Sequence, residues 1–176
     1  MNNFFFTQNT SDKKKVWRMI SERGHMCCKL FVTDPGFIYV VLMKPKKWVP
    51  QSVKQFTKEI GAPDAIIFDA DGEQTSGSLC EICHKIGTTL RVLEEGTPWA
   101  NKAELYIGLL KESVSKDMKE SNAPLVFWDY CVERRARINN LTAKTNMFQL
   151  HGSNAHTYTM GEEGDISNIC QFQFYK

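Results

Sequence analysis

Two carboxylates 35 positions apart, Asp69 and Glu104, have the sequence surroundings of metal ligands in an α/β protein. Asp69 ends a short apolar run that begins at Ala65 and is typical of a buried strand, and a sheet presents its chemistry at the carboxyl ends of such strands. Glu104 lies about two turns after Pro98, which begins a long helix-forming stretch. Carboxylate oxygens are the ligands that Mg²⁺ and Mn²⁺ prefer. The pair therefore predicts a divalent metal held between a strand and a helix.

The chemistry that such a pair serves is phosphoryl transfer. In a two-metal site, ions roughly 3.5–4 Å apart stabilise the attacking and leaving oxygens of a displacement at phosphorus. Asp71 and Glu73 add two nearby carboxylates whose part in metal binding the spacing leaves undecided. A simpler interpretation also stays open, in which Asp69 caps the end of a strand and Glu104 is a surface acid of a helix.

The chain before these residues predicts a hairpin and a helix. Met26–Thr33 and Phe37–Met43 are rich in β-branched and aromatic residues, and Asp34-Pro35-Gly36 between them is typical of a tight turn. We therefore interpret Asp34 as a turn residue. Pro50 then begins an amphipathic helix with Val53, Phe56 and Ile60 on one face and Gly61 at its end. Phe4-Phe5-Phe6 predicts an earlier first strand.

The chain after Asp69 predicts alternating helices and strands. The expected elements are a helix over 79–86 ended by Gly87, a strand over 88–93, a helix over 99–119, a break at Asn122-Ala123-Pro124 and a helix over 125–141. The tail reads as loops with short strands, and the alternation in Ile169–Phe174 predicts an edge strand. The whole order predicts a mixed sheet flanked by helices.

Several of these stretches, in this order, resemble the catalytic core of retroviral-type integrases, specifically that of copia-type LTR retrotransposons. Asp69-Ala70-Asp71-Gly72-Glu73 resembles the family's second acidic element, and Pro98 to Glu104 resembles its third. Further downstream, the stretches that resemble the family are Ala123–Val132, Gln149-Leu150-His151-Gly152 and Asp165–Ile169. The resemblance extends from about Cys28 to Tyr175. It implies a ribonuclease-H-like core over residues 1–142 and a post-core extension over 143–176.

The resemblance also implies an activity and partners. The reaction is Mg²⁺-dependent (or Mn²⁺-dependent) trimming of a cDNA 3′ end, followed by its transfer to target DNA. By the same resemblance Asp69 and Glu104 are catalytic metal ligands, and the helix that carries Asn101 and Lys102 faces nucleic acid. Arg134 and Arg135 are further candidate DNA contacts. The expected protein is a homo-oligomer without a membrane segment, located inside the cell and in the nucleus if active.

The family's first acidic ligand has two candidate equivalents here, and they imply different functions. Asp12 stands at a tolerable distance but is followed by three Lys residues. Phe6-Thr7-Gln8 matches the family pattern F-T-D with Gln8 in place of the acid. If Asp12 is the third metal ligand, the chain is an enzyme. If Gln8 occupies that position, the chain is an inactive integrase remnant that binds nucleic acid or oligomerises.

Composition restricts these possibilities only in part. The net charge of +2 does not indicate a strong polyanion-binding protein, although basic residues cluster at Lys13–Lys15, Lys44–Lys47 and Arg134–Arg137. Taken alone, each cluster slightly favours a solvated surface, whereas together they are compatible with a nucleic-acid site. No apolar run approaches the roughly 20 residues that a membrane span requires.

The six cysteines read as free thiols, because no secretion signal is visible. Cys80-Glu81-Ile82-Cys83-His84 matches the pattern of c-type haem attachment and also offers half of a zinc site. A second ligand pair at matching spacing is not found, and these three side chains share one face of a helix. Core packing is therefore the favoured interpretation.

Overall fold

The computed structural model of the protein describes residues 20–44, 49–68, 77–92, 102–143, 150–167, 169 and 174, together with the backbone of residues 2–4. In these ranges the elements, in chain order, are β1 (Asn2–Phe4), β2 (Cys27–Val32), β3 (Ile38–Met43), α1 (Val49–Glu59), β4 (Ala65–Phe68), α2 (Gly77–Lys85), β5 (Thr89–Val92), α3 (Lys102–Ser121), a 3₁₀ turn (Leu125–Phe127), α4 (Trp128–Leu141) and α5 (Ala155–Met160).

The strands form two small sheets. Strands β1, β2 and β3 pair antiparallel in that order, and β4 pairs parallel with β5. The predicted hairpin is confirmed, because Asp34 lies in the turn that joins β2 to β3 and the Thr33 N–H donates to the Phe37 carbonyl at 3.0 Å. Gly36 in this turn has φ +76°, a value that favours glycine. A first strand exists at Asn2–Phe4, which overlaps the predicted Phe4-Phe5-Phe6 only at Phe4, and Phe5 and Phe6 lie outside the described residues.

Helices cover the β2–β3 hairpin on both faces. On one face, α1, α2 and β4 contribute to an apolar cluster that includes Phe31, Phe56 and Phe68. On the other face, α3 and α4 pack on β2 and β3 through a second cluster that includes Ile107 and Trp128. Because successive residues of a strand point to opposite faces, β2 supplies both clusters. The result is the predicted mixed α/β arrangement with helices on both sides.

The helix α1 follows its predicted pattern closely. Val53 and Phe56 are buried, Ile60 is half-buried, and Gly61 has φ +119° just after the helix. The Phe56 ring stacks on Phe31 of β2 with 4.7 Å between ring centroids. The apolar face predicted from the sequence is therefore the face that holds α1 on the sheet.

The far end of α4 is tied to the sheet by a buried amide. Asn140 accepts a hydrogen bond from the Ile38 N–H and donates one to the Ile38 carbonyl, both at 2.7 Å. Its side chain therefore pairs with β3 in the way a neighbouring strand would. Buried backbone groups are costly when they lack partners, so this contact helps to fix α4 against β3.

The start of α4 is tied to the segment before β2 by a buried carboxylate. Asp129 is fully buried, and its Oδ2 lies 2.8 Å from both Arg23 Nε and His25 Nδ1. Arg23 also donates to Glu133 at 2.7 Å, and its guanidinium lies over the Tyr130 ring, 3.8 Å from the centroid. No sequence pattern identifies Arg23 or His25 as a partner of Asp129.

Hydrogen bonding decides the ionisation of Asp129. Burial alone raises the pKa of this carboxyl, but hydrogen bonds from His25, Arg23 and Ser21 outweigh burial and hold the pKa below its ordinary value. The carboxylate is therefore the favoured form in the folded protein.

The C-terminal part differs from the prediction. The helix α5 was not predicted, although Asn154 accepts from the Thr157 N–H at 2.8 Å as its N-cap and Gly161 ends it with φ +76°. The predicted strand over 169–174 is wrong at Ile169, which is helical, and residues 170–173 lie outside the described part. The helix predicted over 125–141 is present, with its first turn tightened to 3₁₀. The proposed division into residues 1–142 and 143–176 stays a prediction.

No helix within the described residues is long and apolar enough to cross a bilayer.

Replacing Asn140 by Ala is expected to lower the free energy of unfolding by about 2–4 kcal/mol, because a buried N–H and a buried carbonyl lose their partner. Asn139→Ala is the control, since Asn139 makes one long contact, 3.5 Å from the Gly36 carbonyl. Its expected cost is below about 1 kcal/mol. Urea unfolding of the two variants measures the difference, and equal losses would contradict the role given to Asn140.

The lowered pKa of Asp129 predicts that the folded protein loses stability in acid. Because its folded-state pKa lies below the unfolded value of about 4, its contribution is complete above that value and is lost as pH falls through the folded-state pKa. Asp129→Asn is expected to cost about 1–3 kcal/mol at neutral pH and to flatten the pH dependence of unfolding below pH 4. Glu133→Gln, in the same cluster but exposed, serves as the control in urea titrations between pH 2 and 7. An unchanged acid limb in Asp129→Asn would refute the assignment.

Candidate active site

The parallel pair β4–β5 leads the chain to the predicted metal site. Phe68 is the register partner of Val92, so both strands end at the same edge of their sheet. Asp69 is the next residue after Phe68 in the chain. Asp69 itself lies outside the described residues, as do Asp71 and Glu73.

Glu104 lies in the first turn of α3 and is exposed. The helix buries Ala103 and Ile107, so Glu104 and its neighbour Leu105, which is 63% exposed, face away from the core. An acid in the first turn of a helix is favoured by the positive end of the helix dipole. The prediction that Glu104 belongs to a helix is confirmed, and its carboxylate faces solvent where a ligand can reach it.

Lys102, a predicted DNA contact, begins α3 and pairs with the β2–β3 turn. Its Nζ donates to Asp34 Oδ1 at 2.8 Å, and both side chains are exposed, at 60% and 86%. An exposed ion pair contributes about 0–1 kcal/mol, so Lys102 can leave Asp34 for a stronger anion. Its role in DNA binding stays a prediction, and the neighbouring Asn101 lies outside the described residues.

Arg135, another predicted DNA contact, is engaged inside the fold. Its Nε donates to Asp117 Oδ2 at 2.7 Å, and a terminal nitrogen binds the other carboxylate oxygen, which joins α4 to α3. Asp117 follows Glu104 by roughly 20 Å along the helix at about 1.5 Å per residue. Arg134 is half-buried. The sequence offered no signal for the Asp117 partner, and the DNA contacts of both arginines stay predictions.

The described residues do not bring together three His, Cys, Asp or Glu side chains in a way that could hold a metal ion. Of the proposed ligands, Asp69 and Asp12 lie outside these residues, as does the alternative Gln8. What the described part does supply is one exposed oxygen ligand, Glu104, whose hard carboxylate suits Mg²⁺ or Mn²⁺.

The side chains of Cys80, Cys83 and His84 differ in burial. Cys83 is buried in the cluster between α2 and the sheet, whereas Cys80 and His84 are exposed. Core packing is therefore confirmed for Cys83 and wrong for the other two. Burial, together with the nearby Cys80, raises the pKa of the Cys83 thiol, which disfavours the thiolate that a metal requires.

The fold is shared with integrase catalytic cores. A chain from the cryo-EM structure of the simian T-cell lymphotropic virus intasome in complex with PP2A regulatory subunit B56 gamma matches 78% of this chain with a TM-score of 0.64 and 17% identity. This chain spans 49% of the length of that one. The HTLV-2 integrase catalytic core domain in complex with magnesium matches in its trimeric and dimeric forms, with TM-scores of 0.59 and 0.58.

Both HTLV-2 matches have 18% identity and cover 84% of the HTLV-2 chain, with 76% and 77% of this chain aligned. No protein-family model and no curated protein sequence matches the chain. At this identity the likeness shows the fold alone. The predicted ribonuclease-H-like fold is confirmed, and the copia-type assignment stays a prediction.

Proposed function

We propose that this chain is an integrase-like catalytic core of a copia-type retrotransposon that performs metal-dependent phosphoryl transfer on DNA. The reaction is processing of a cDNA 3′ end followed by strand transfer into target DNA. The observation that carries the proposal is the placement of Glu104, exposed in the first turn of α3 within a fold shared with integrase cores. The strand β4 adds support, because it ends one residue before Asp69.

Asp69, Glu104 and Asp12 are the proposed ligands of Mg²⁺, the ion bound in the HTLV-2 core. The bound ion would supply the positive charge that stabilises the attacking and leaving oxygens at phosphorus. The chain itself contributes by positioning the residues that act on the DNA. The buried face of α3 is packed on the sheet, which fixes the backbone that carries Glu104 before DNA arrives. Lys102 and Asn101 orient the DNA backbone. Arg134 extends the contact, and Arg135 joins it if DNA draws it away from Asp117.

The proposed partners are cDNA ends, target DNA and further copies of this chain. The related viral proteins form an intasome and dimeric or trimeric cores, which supports a multimeric assembly here. The place of action is inside the cell, in the nucleus if the enzyme is active.

The alternative is an inactive remnant that binds nucleic acid or oligomerises. It rests on the sequence match of Phe6-Thr7-Gln8 to the family pattern F-T-D, with Gln8 in place of the acid. Glutamine cannot supply the negative charge that binds two divalent ions.

Catalysis is tested with a labelled branched DNA substrate and Mn²⁺, scored for cleavage and strand joining. Asp69→Asn and Glu104→Gln are each expected to lower the rate at least about 100-fold, because each removes charge from the reacting site. Glu112→Gln is the matched control, an exposed acid farther along the same helix. It is expected to keep the rate within about twofold.

Two further variants separate the active protein from the remnant. If the unmodified chain is active, Asp12→Asn should abolish the reaction and Gln8→Ala should not. If the unmodified chain binds DNA but is no faster than Asp69→Asn, the enzymatic proposal fails. Recovery of activity in Gln8→Asp would then identify the missing ligand and support the remnant.

Substitutions of Lys102 and of Asp34 are expected to change DNA affinity in opposite directions. Lys102→Gln should weaken binding severalfold and reduce the slope of log affinity against log salt by about 0.9, the loss of one phosphate contact. Asp34→Asn should strengthen binding, since it releases Lys102. The exposed pair Lys116–Glu120 on the same helix is the control, with Lys116→Gln and Glu120→Gln. Equal effects from both pairs would show a general response to charge instead of a contact at Lys102.

A further inference from the structure

The outer edge of β3 carries backbone groups that no described strand pairs. Among the described strands, β3 stands at the end of the sheet order and pairs with β2 alone. The side chain of Asn140 bonds both backbone groups of Ile38, so these groups point away from β2. Backbone direction alternates along a strand, so the groups of Val40 and Leu42 point the same way. Each of these two residues therefore offers one N–H and one carbonyl at the edge.

A groove of about 450 Å³ lies beside the first half of β3 and reaches the unpaired part of the edge at Val40, whereas Leu42 lies beyond its lining. Its floor is formed by Phe37 and by Ile38 to Val40 of β3. One wall is formed by α4, and the other by α5 and the segment that follows it. The second wall is packed tightly on α4, because a Cβ on Gly164 would lie 2.2 Å from Leu141 Cδ2. The groove is therefore built between packed elements and meets, at Val40, an edge that no described strand pairs.

The rim of the groove is acidic. Glu133, Glu162, Glu163 and Asp165 line it, with Arg137 as the one basic residue among the described lining residues apart from His156. Glu133 is engaged by Arg23 at 2.7 Å, and Arg137 donates to the Asp165 backbone carbonyl at 3.2 Å. Glu162 and Glu163 are exposed. The charge at the rim favours a cationic occupant.

We propose that this edge groove binds an extended basic peptide segment of a partner protein, which adds to the sheet as a strand beside β3. The backbone of the peptide pairs with Val40 and Leu42, and its lysine or arginine side chains lie against Glu162 and Glu163. Strand addition of this kind takes affinity from main-chain hydrogen bonds and specificity from alternate side chains. Neither Glu104 nor Lys102 lines the groove, and the proposed binding does not depend on catalysis by the chain.

Charge also separates this occupant from the alternatives. A second copy that paired through its own β3 edge would bring two acidic rims together, and like charges at an interface are unfavourable. A nucleic acid would place phosphates against the same carboxylates. An extended cationic peptide satisfies both the unpaired backbone and the acidic rim.

The test uses the full chain and three fluorescent nine-residue probes. One peptide alternates Val and Lys, the second alternates Val and Glu, and the third is the Val–Lys peptide with N-methyl groups on alternate residues. Fluorescence anisotropy is expected to detect binding of the first peptide only. Equal binding of the Glu peptide or of the N-methylated peptide would overturn the proposal, because charge or main-chain pairing would then be irrelevant.

Variants locate the site. Glu162→Lys combined with Glu163→Lys should weaken binding of the Val–Lys peptide at least tenfold. Glu81→Lys combined with Glu112→Lys makes the same change in net charge at exposed positions outside the groove, and should change affinity less than threefold. If both double variants lose the same peptide affinity, the effect depends on overall charge, and the proposed site is refuted.

Amide hydrogen exchange tests the strand pairing directly. The peptide should slow exchange at Val40 and Leu42 and leave Val41, which already faces β2, unchanged. Protection at Val40 and Leu42 that appears without peptide and increases with protein concentration would assign the edge to a second copy and overturn the proposal. Unchanged exchange at both residues, with peptide bound, would do the same.

Discussion

Burial of the β2–β3 hairpin on both faces is the constraint on which the rest of the structure depends. A sheet covered on one side needs one apolar face, whereas this hairpin needs two. Leu30 of β2 packs toward α3 and α4, while Phe31, the next residue, packs toward α1. Each helical layer is therefore positioned by the same six-residue strands, and the orientation of α3, which carries Glu104, follows from its packing on that hairpin.

Polar contacts at the two ends of α4 add directional constraints to its apolar packing on the sheet. Asp129 fixes its first turn to Arg23 and His25, and Asn140 fixes its last turn to Ile38. Both side chains are buried, so each contact is directional and each would be expensive to break. Because Arg135 also joins α4 to Asp117, the register of α3 against α4 is specified by charge as well as by shape.

The elements that could be predicted from the sequence are those whose pattern is local. The hairpin could be predicted from Asp34-Pro35-Gly36 between two apolar runs. The helix α1 could be predicted from the helical spacing of Val53 and Phe56. The helix α5 was missed because six residues are too few for a periodic signal, leaving only its caps as cues.

Polar contacts between distant residues were equally out of reach. Asp129 meets residues more than 100 positions away, and nothing near it in the sequence identifies a partner. At the candidate site, the helical context of Glu104 followed from Pro98 and the run after it. The pairing of Lys102 with Asp34 did not, because it depends on how the hairpin turn lies beside α3.

The adjacent residues Cys27 and Cys28 place one thiol on each face of the β2–β3 hairpin. Both are fully buried, Cys27 in the α1–α2 layer and Cys28 in the α3–α4 layer. Burial raises the pKa of Cys28 well above its ordinary value, so the thiol reacts only when its layer opens. Alkylation of each thiol would therefore report on the opening of the helical layer that covers it. Peptide mapping after pulsed alkylation would resolve which half of the domain opens first.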